Sequence, residues 1–282
     1  MDPHVSIIIL NWNGWQDTIA CIDSVKTLTY RRFSITVVDN HSTDDSIDRI
    51  RNAHPDILPI DSGANLGFAG GNNIGIRKAL EDGAEYMWLL NNDTLVEPHS
   101  LSEMVEVAQS DASIGAVGSV LYYMDQPNIV QAWGGGRLYM WGGVARHIRT
   151  PKSTSKINYI SAASILLRRQ ALEEVGLLDE RFFMYWEDAD LSFRLRKAGW
   201  KLAVASNSYV LHKENATLGR RSAAQNTYNQ RSSIIFYRKH SPIPIIPITV
   251  GLLARITKRI LQRDWQRAKD LILSFRQAST SY

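Results

Sequence analysis

Through residues 1–122 the chain alternates short apolar runs with stretches of helical periodicity, and polar residues gather where the apolar runs end. Val5–Leu10, Ser34–Asp39, Ile57–Ile60, Tyr86–Leu90 and Ile114–Tyr122 read as strands. Helical stretches run from Trp15 to Leu28, towards His54 behind Ser42 and Thr43 as caps, to Glu81, and from Pro98 to Ser110. This alternation predicts an α/β fold whose mostly parallel sheet is covered by helices on both faces. Ligands of open α/β sheets bind beyond the carboxyl ends of the strands. Asp39 and Asn40 follow the second strand and Asn91, Asn92 and Asp93 the fourth, which predicts a small-molecule site there.

The pattern loosens from Met124 to Lys156, where Gly134-Gly135-Gly136 and Gly142-Gly143 lie among Trp133, Tyr139 and Trp141. This reads as a flexible or hairpin segment beside an acceptor. Ile157–Arg168 returns to a strand and Arg169–Val175 to a short helix, and a further helix opens at Glu187 and ends at Gly199. Leu202–Ala205 and Tyr209–Leu211 are short strands, with His212 directly after. Residues 1–240 form a body with halves 1–122 and 123–240, and 241–282 an extension. Ser241 to Ala254 is 14 uncharged residues with three prolines, short of the roughly 20 apolar residues that span a bilayer. Leu261, Trp265, Ala268, Ile272 and Phe275 step by four, three, four and three among Arg263, Arg267, Lys269 and Arg276. That spacing predicts one basic amphipathic helix.

Composition sharpens the division. With 44% hydrophobic and 21% charged residues the chain is globular, which excludes disordered, collagen-like and coiled-coil classes. The net charge of +4 splits into +7 from Arg238 onward and −3 over residues 1–237. Such a tail meets an anionic partner. Its cations interleave with a regular apolar stripe, whereas a phosphate-tracking nucleic-acid arm is polar and flexible. The implied partner is an anionic membrane surface, or the helix packs on the body; nucleic acid is not expected. The single cysteine, Cys21, excludes an intramolecular disulfide and a multi-cysteine zinc site, and reads as a buried small hydrophobe. Val5–Leu10 is too short for a signal peptide, so the expected location is cytoplasmic.

The chain carries no G-x-G-x-x-G after a strand, no P-loop, no H-E-x-x-H and no G-x-S-x-G. Asp93 at a strand end suits a hard cation such as Mg²⁺ or Mn²⁺, or caps the next helix through an Asx turn. His212, also at a strand end, is a second candidate ligand or a structural histidine. Glu187, Asp188 and Asp190 cluster at a helix start, where the dipole favours acids. The preceding Phe182, Phe183, Tyr185 and Trp186 would exclude water around a general base. The glycines of Asn65–Asn73 would let backbone approach a ligand closely, or form a plain loop.

Read together, VSIIILNWNG (5–14), VVDNHSTDDS (37–46), NLGFAGGNN (65–73), LLNNDT (89–94), FMYWEDADLSFRLRKAG (183–199) and the His212 of VLHKENAT (210–217) resemble inverting family 2 glycosyltransferases. The ordered match covers most of residues 5–240 and is nearest to the rhamnosyltransferase-like branch that builds bacterial surface polysaccharides. The resemblance implies an A-type nucleotide-sugar-binding fold, with donor binding in 1–122 and acceptor binding and catalysis in 123–240. It places Asn11 and Asp39 at the nucleoside, with Asn40, Asn65, Gly67, Asn92 and Glu187 also among the substrate-binding residues. It implies Asp93 and His212 as ligands of Mg²⁺ or Mn²⁺, Asp188 as general base, and Arg220 and Arg221 as phosphate contacts. The implied donor is a nucleoside-diphosphate sugar, dTDP-rhamnose first, and the implied acceptor a glycan or polyprenyl-diphosphate-linked hydroxyl. Asn91 stands where the family's metal motif has its first acid, which implies a site richer in water. The Q-x-x-R-W signature of processive members is absent.

Two other readings remain at this point. A sugar nucleotidyltransferase would share the sheet but carries a basic, glycine-rich first loop, and here no Lys or Arg occurs before Lys26. A scaffold that binds anionic surfaces would use the tail alone.

Overall fold

The computed structural model describes residues 2–151, 156–213 and 223–280. The first half builds β1 (Val5–Asn11), α1 (Trp15–Lys26), β2 (Phe33–Asp39), α2 (Ser46–Ala53), β3 (Ile60–Asp61) and α3 (Gly67–Glu81). β4 (Tyr86–Asn91), β5 (Thr94–Val96), α4 (Ser100–Ser110) and β6 (Ile114–Tyr123) complete it. The second half adds β7 (Gln126–Trp133), β8 (Gly135–Tyr139), β9 (Val144–His147), β10 (Tyr159–Ile160), β11 (Ser164–Arg168), α5 (Arg169–Val175), α6 (Glu187–Lys197) and β12 (Lys201–His212). Three helices follow: α7 (Ala223–His240), α8 (Ile245–Leu261) and α9 (Trp265–Thr280).

The main sheet runs β3-β2-β1-β4-β11-β6-β12-β5, with β7 on the end of β6. The four strands from β3 to β4 are parallel, as the alternation of strand and helix requires. β11 enters antiparallel to both β4 and β6, and β12 lies parallel to β6. The parallel arrangement thus fills one half and the other is mixed. β1 shows why the sheet is buried on both sides: Ile7 and Ile9 join the cluster under α1 and α4, while Ile8 joins the one under α3, α5 and α6. Cys21 is part of the first cluster, and burial pushes its thiol up to about 12, so it packs as an inert hydrophobe.

A second sheet, β10-β8-β9, stands apart. Leu138 and Tyr159 from it pack with Phe182, Phe236 and Tyr237 in a third cluster that joins α6 to α7. The expected Ile157–Arg168 strand is therefore two, because the chain leaves the small sheet after Ile160 and turns through 161–163 into the main one.

The basic amphipathic stripe is carried by α9 from Trp265 onward, while Leu261 is the last residue of α8. Arg263 sits at φ +56 in the turn between α8 and α9, a left-handed conformation that no continuous α-helix contains. α9 packs on α7 and α8 through Ala268, Ser274 and Ala278, and leaves Trp265 and Ile272 exposed. Among the described residues no helix is long and apolar enough to cross a membrane.

Asp190, 0% exposed, ties α6 to α7. It accepts from Arg194 Nε at 2.8 Å and pairs with Lys239 Nζ and His240 Nε2, each at 2.7 Å. Burial raises this carboxyl, but the hydrogen bonds of His240 and Lys239 and the charge and hydrogen bond of Arg194 outweigh it and hold it below the ordinary value. Its contribution is complete above the unfolded-state pKa and is lost as pH falls through the lowered one. Asp190→Asn is expected to lose about 3 kcal/mol of stability near neutrality, with the difference shrinking in acid. Urea unfolding at several pH values checks this, and a loss that does not change with pH overturns it.

Candidate active site

Parallel register brings the strand ends level: Asn11 lies opposite Asp39, and Leu10 opposite Asn91. Asn11 is fully buried and spends its side chain on neighbours. Its Nδ2 donates to Asp39 Oδ1 at 2.6 Å and to Ser42 Oγ at 3.2 Å, and its Oδ1 accepts from Thr18 Oγ1 at 2.7 Å. Asp39 also accepts from Ser42 Oγ at 2.7 Å and Ser42 N at 2.8 Å. Ser42, expected as a helix cap, instead locks this carboxylate, and α2 starts later, at Ser46. Asn92 donates to Thr18 Oγ1 at 3.0 Å, joining the end of β4 to the same network.

Asn40 clamps the start of α3. Its Nδ2 donates to Asn65 Oδ1 at 3.1 Å and Gly67 O at 3.0 Å, and its Oδ1 accepts from Leu66 N at 3.0 Å. The glycine-rich segment is largely helical and buried, with Gly71 and Gly75 giving room to Leu10 and Ile8 of β1. Gly67 has φ +70, and a Cβ there would stand 2.2 Å from Phe183 O. Its glycine serves contact between α3 and the segment before α6, sealed by Phe68 N donating to Phe183 O at 2.7 Å.

Asp93 and His212 come together across the β5–β12 end, with Oδ1 and Nε2 3.3 Å apart. The other imidazole nitrogen, Nδ1, lies 2.9 Å from Gln131 Oε1, which orients the ring so that Nε2 faces Asp93. Asn91 Nδ2 is 3.4 Å from the same Nε2. Burial pushes the Asp93 carboxyl up, but the hydrogen bond and charge of His212 and the charge of Lys213 hold it below its usual range. An ionised carboxylate beside an anchored imidazole is a donor pair that fits a hard, Mn²⁺-type cation. Among the described residues no group of three or more His, Cys, Asp and Glu could hold a metal, so such an ion would keep waters and substrate oxygens.

Asp188 opens α6 behind Tyr185 and Trp186, consecutive non-glycine residues at φ +70 and +71. Such conformations cost of order 1–3 kcal/mol each and gather at functional sites. Asp188 Oδ2 accepts from Ala162 N at 3.3 Å and Oδ1 from Ala189 N at 2.7 Å. Burial raises its pKa, against the pull of the two amides and of His147. Glu187, 6% exposed, is raised well above the ordinary value by burial and by the Asp188 charge, and its Oε2 has no hydrogen-bond partner among the described residues. The third acid, Asp190, faces away into the α7 contacts. Arg220 and Arg221 lie outside the described residues.

The turn at 161–163 joins the two groups. Ala162 N donates to Asp188, and the next residue, Ala163, accepts from Asn91 N at 3.0 Å. Asp188 of α6 and Asn91 at the end of β4 are thus fastened to adjacent residues. The sequence reading missed this turn; its signal was the run of small residues Ser161-Ala162-Ala163-Ser164 inside an apolar stretch.

Residues 6–176 match the model of the family described as glycosyl transferase family 2. The chain belongs to that family. This family 2 glycosyltransferase is 29% identical over 238 residues to the N-acetylglucosaminyl-diphospho-decaprenol L-rhamnosyltransferase of Mycobacterium tuberculosis, covering 76% of this chain and 77% of that one. It is 26% identical over 243 residues to the low-salt glycan biosynthesis hexosyltransferase Agl10 of Haloferax volcanii, covering 81% and 73%. Its fold is shared with the Pyrobaculum calidifontis mannosyltransferase PcManGT, solved with GDP-Man and Mn²⁺, at TM-score 0.66 and 17% identity over 100% of this chain and 76% of that one. GalNAc-T7, solved with UDP, GalNAc and Mn²⁺, gives TM-score 0.66 at 18% identity over 82% and 47%. The A-type fold and the glycosyltransferase class read from the motifs stand, and the nucleotidyltransferase and scaffold readings give way to them.

The buried Glu187 predicts a pH signature. The folded chain keeps this carboxyl protonated to higher pH than the unfolded chain, so its burial costs stability as pH rises above the ordinary glutamate value of 4.5. Glu187→Gln is expected to melt above the wild type near about pH 8 and to lose that advantage near about pH 4. Thermal unfolding at both pH values decides, and identical offsets would exclude a neutral Glu187.

Proposed function

We propose that this glycosyltransferase moves L-rhamnose from dTDP-rhamnose to a hydroxyl of a glycan or polyprenyl-diphosphate-linked acceptor, with inversion, in bacterial surface polysaccharide synthesis. The observation that carries the mechanism is the 161–163 turn, which holds the Asp188 carboxylate beside the Asn91–Asp93 strand end. The similarity to a rhamnosyltransferase whose name gives a diphospho-decaprenol acceptor supports the choice of sugar and acceptor.

The Asp39 network cradles the nucleoside, with Asn11 and Ser42 fixing the carboxylate and Asn40, Asn65, Gly67 and Asn92 shaping the pocket wall. Asp188 takes the proton from the acceptor hydroxyl. The oxygen so freed attacks the anomeric carbon from the face opposite the diphosphate. The bond from that carbon to the diphosphate oxygen breaks, and nucleoside diphosphate leaves with the electron pair. Buried aromatic surroundings and the amides of Ala162 and Ala189 fix the Asp188 carboxylate for that single displacement. Asp93 and His212 would hold a Mg²⁺ or Mn²⁺ ion, which would supply positive charge to offset that of the leaving diphosphate. Without a processive signature, transfer is limited to one or a few sugars.

Asp188→Asn is expected to lower kcat by about a thousandfold while leaving dTDP-rhamnose affinity within about twofold. Nucleoside diphosphate release and donor titration read the two separately. Turnover near wild type would remove Asp188 from its role. Because burial raises this carboxyl, wild-type turnover should fall on acidification before the ordinary aspartate range is reached.

The same proposal places the enzyme peripherally at the cytoplasmic face of the cell membrane. Ile245, Leu253, Leu261, Trp265 and Ile272 of α8 and α9 are exposed, with Lys258 and Lys269 among them. An apolar stripe with cations suits an anionic bilayer surface. Leu253→Ser, Leu261→Ser and Trp265→Ser together should cut vesicle binding more than about tenfold in flotation. Undiminished binding would remove these helices from the surface.

A further inference from the structure

The small sheet carries a feature that glycosyl transfer at Asp188 does not use. Arg137 of β8 and Arg146 of β9 are directly opposite in the antiparallel register. Like charges facing across a strand pair are destabilising unless something neutralises them. Among the described residues neither guanidinium has a carboxylate within ion-pair distance. Arg137 lies over the Tyr139 ring, 5.3 Å from its centroid, which orients the guanidinium without neutralising it.

These two arginines line a cavity of about 660 Å³ together with Tyr139, Trp141, Val144 and Asn158, and no acidic residue contributes to its wall. Asn158 is engaged with strand backbone, accepting from Leu138 N at 2.7 Å and donating to Leu138 O at 2.9 Å. The free polar capacity of the wall is therefore cationic. Tyr139 is 46% exposed, and Trp141 at the hairpin tip 56%. Tyrosine and tryptophan flanked by arginine is the composition of a membrane–water boundary, where rings take the headgroup level and guanidinium forks take phosphate.

The hairpin is not a loose arm. Gly143 has φ +63, and a Cβ there would stand 2.0 Å from Pro247 O and 2.8 Å from Gly251 Cα, so the tip lies directly on α8. Helix α8 turns Pro247 and Gly251 towards the tip and leaves Ile245, Leu253 and Ile260 exposed. The arginine cavity and the apolar helix surface are thus fixed to one another.

We propose that the β8–β9 hairpin is a phospholipid headgroup site, in which Arg137 and Arg146 share the phosphate of an anionic lipid while Trp141 and Tyr139 enter the bilayer interface. The occupant is a bilayer because the cationic cavity is joined to exposed aromatic and aliphatic surface, which a soluble phosphate would leave bare. The inference rests on the membrane-surface reading above and deepens it: the helices supply apolar attachment, and the hairpin supplies preference for anionic lipid.

Flotation of the full chain with phosphatidylcholine vesicles, with and without phosphatidylglycerol, tests it. The wild type is expected to prefer phosphatidylglycerol vesicles. Arg137→Gln/Arg146→Gln should lose roughly thirtyfold in affinity for them, retain binding to neutral vesicles, and melt no lower than the wild type. Arg137→Lys/Arg146→Lys, which keeps charge but not the fork, should fall between the two. Wild-type affinity of the glutamine pair for phosphatidylglycerol vesicles would overturn the site while leaving the helix surface intact. Failure of the wild type to bind either vesicle would overturn the surface reading and the hairpin site with it. Displacement by inorganic phosphate at low millimolar concentration would assign the cavity to a soluble phosphate and overturn the lipid assignment.

Discussion

The parallel register between β1 and its neighbours is the constraint on which the polar network at the strand ends depends. Once Ile7, Ile8 and Ile9 are buried on alternate faces, a slip of one residue would expose each of them to the wrong layer. The register that satisfies them sets Asn11 level with Asp39 and the end of β4 beside both. The hydrogen bonds among Asn11, Asp39, Ser42, Thr18 and Asn92 then close without any change of backbone. Burial of aliphatic side chains therefore determines where polar chemistry can occur, and the polar network confirms that position by using its donors and acceptors internally.

The start of α6 is held differently. Left-handed backbone at Tyr185 and Trp186 aims the start of α6, and the aromatic packing of Trp186 on Phe236 and Tyr237 holds it there. Asp190 secures the same helix to α7 through three cations, so its charge is spent on architecture. Three acids within four residues thus have three settings: Asp190 paired with three cations and held low, Asp188 fixed by two amides, and Glu187 raised by burial and by the Asp188 charge.

The parallel strands and their helices were legible because periodicity there reflects burial on two faces, and residues such as Ile7–Ile9 have no other stable use. The pairing of Asp93 with His212 was legible only through the motifs, since 119 residues separate them and no local pattern links them. What could not be read had tertiary causes. Ser42 looks like a helix cap until Asp39 is seen beside it. The glycines of Asn65–Asn73 look like a ligand loop until Leu10 is seen against Gly71 and Phe183 against Gly67. The stripe from Leu261 to Phe275 looks continuous because spacing alone is blind to the reversal at Arg263, which the packing of α9 on α7 requires.

Ala162 and Ala163 are consecutive, so the atoms that hold Asp188 and the end of β4 are separated by a single peptide unit, with Cα atoms about 3.8 Å apart. Such a link behaves as a ruler. It has no side chain long enough to flex and no intervening residue in which an insertion could be absorbed. Loops around the sheet can lengthen while the spacing between the start of α6 and the end of β4 stays constant. Change in those loops then needs no readjustment of how Asp188 stands relative to Asn91.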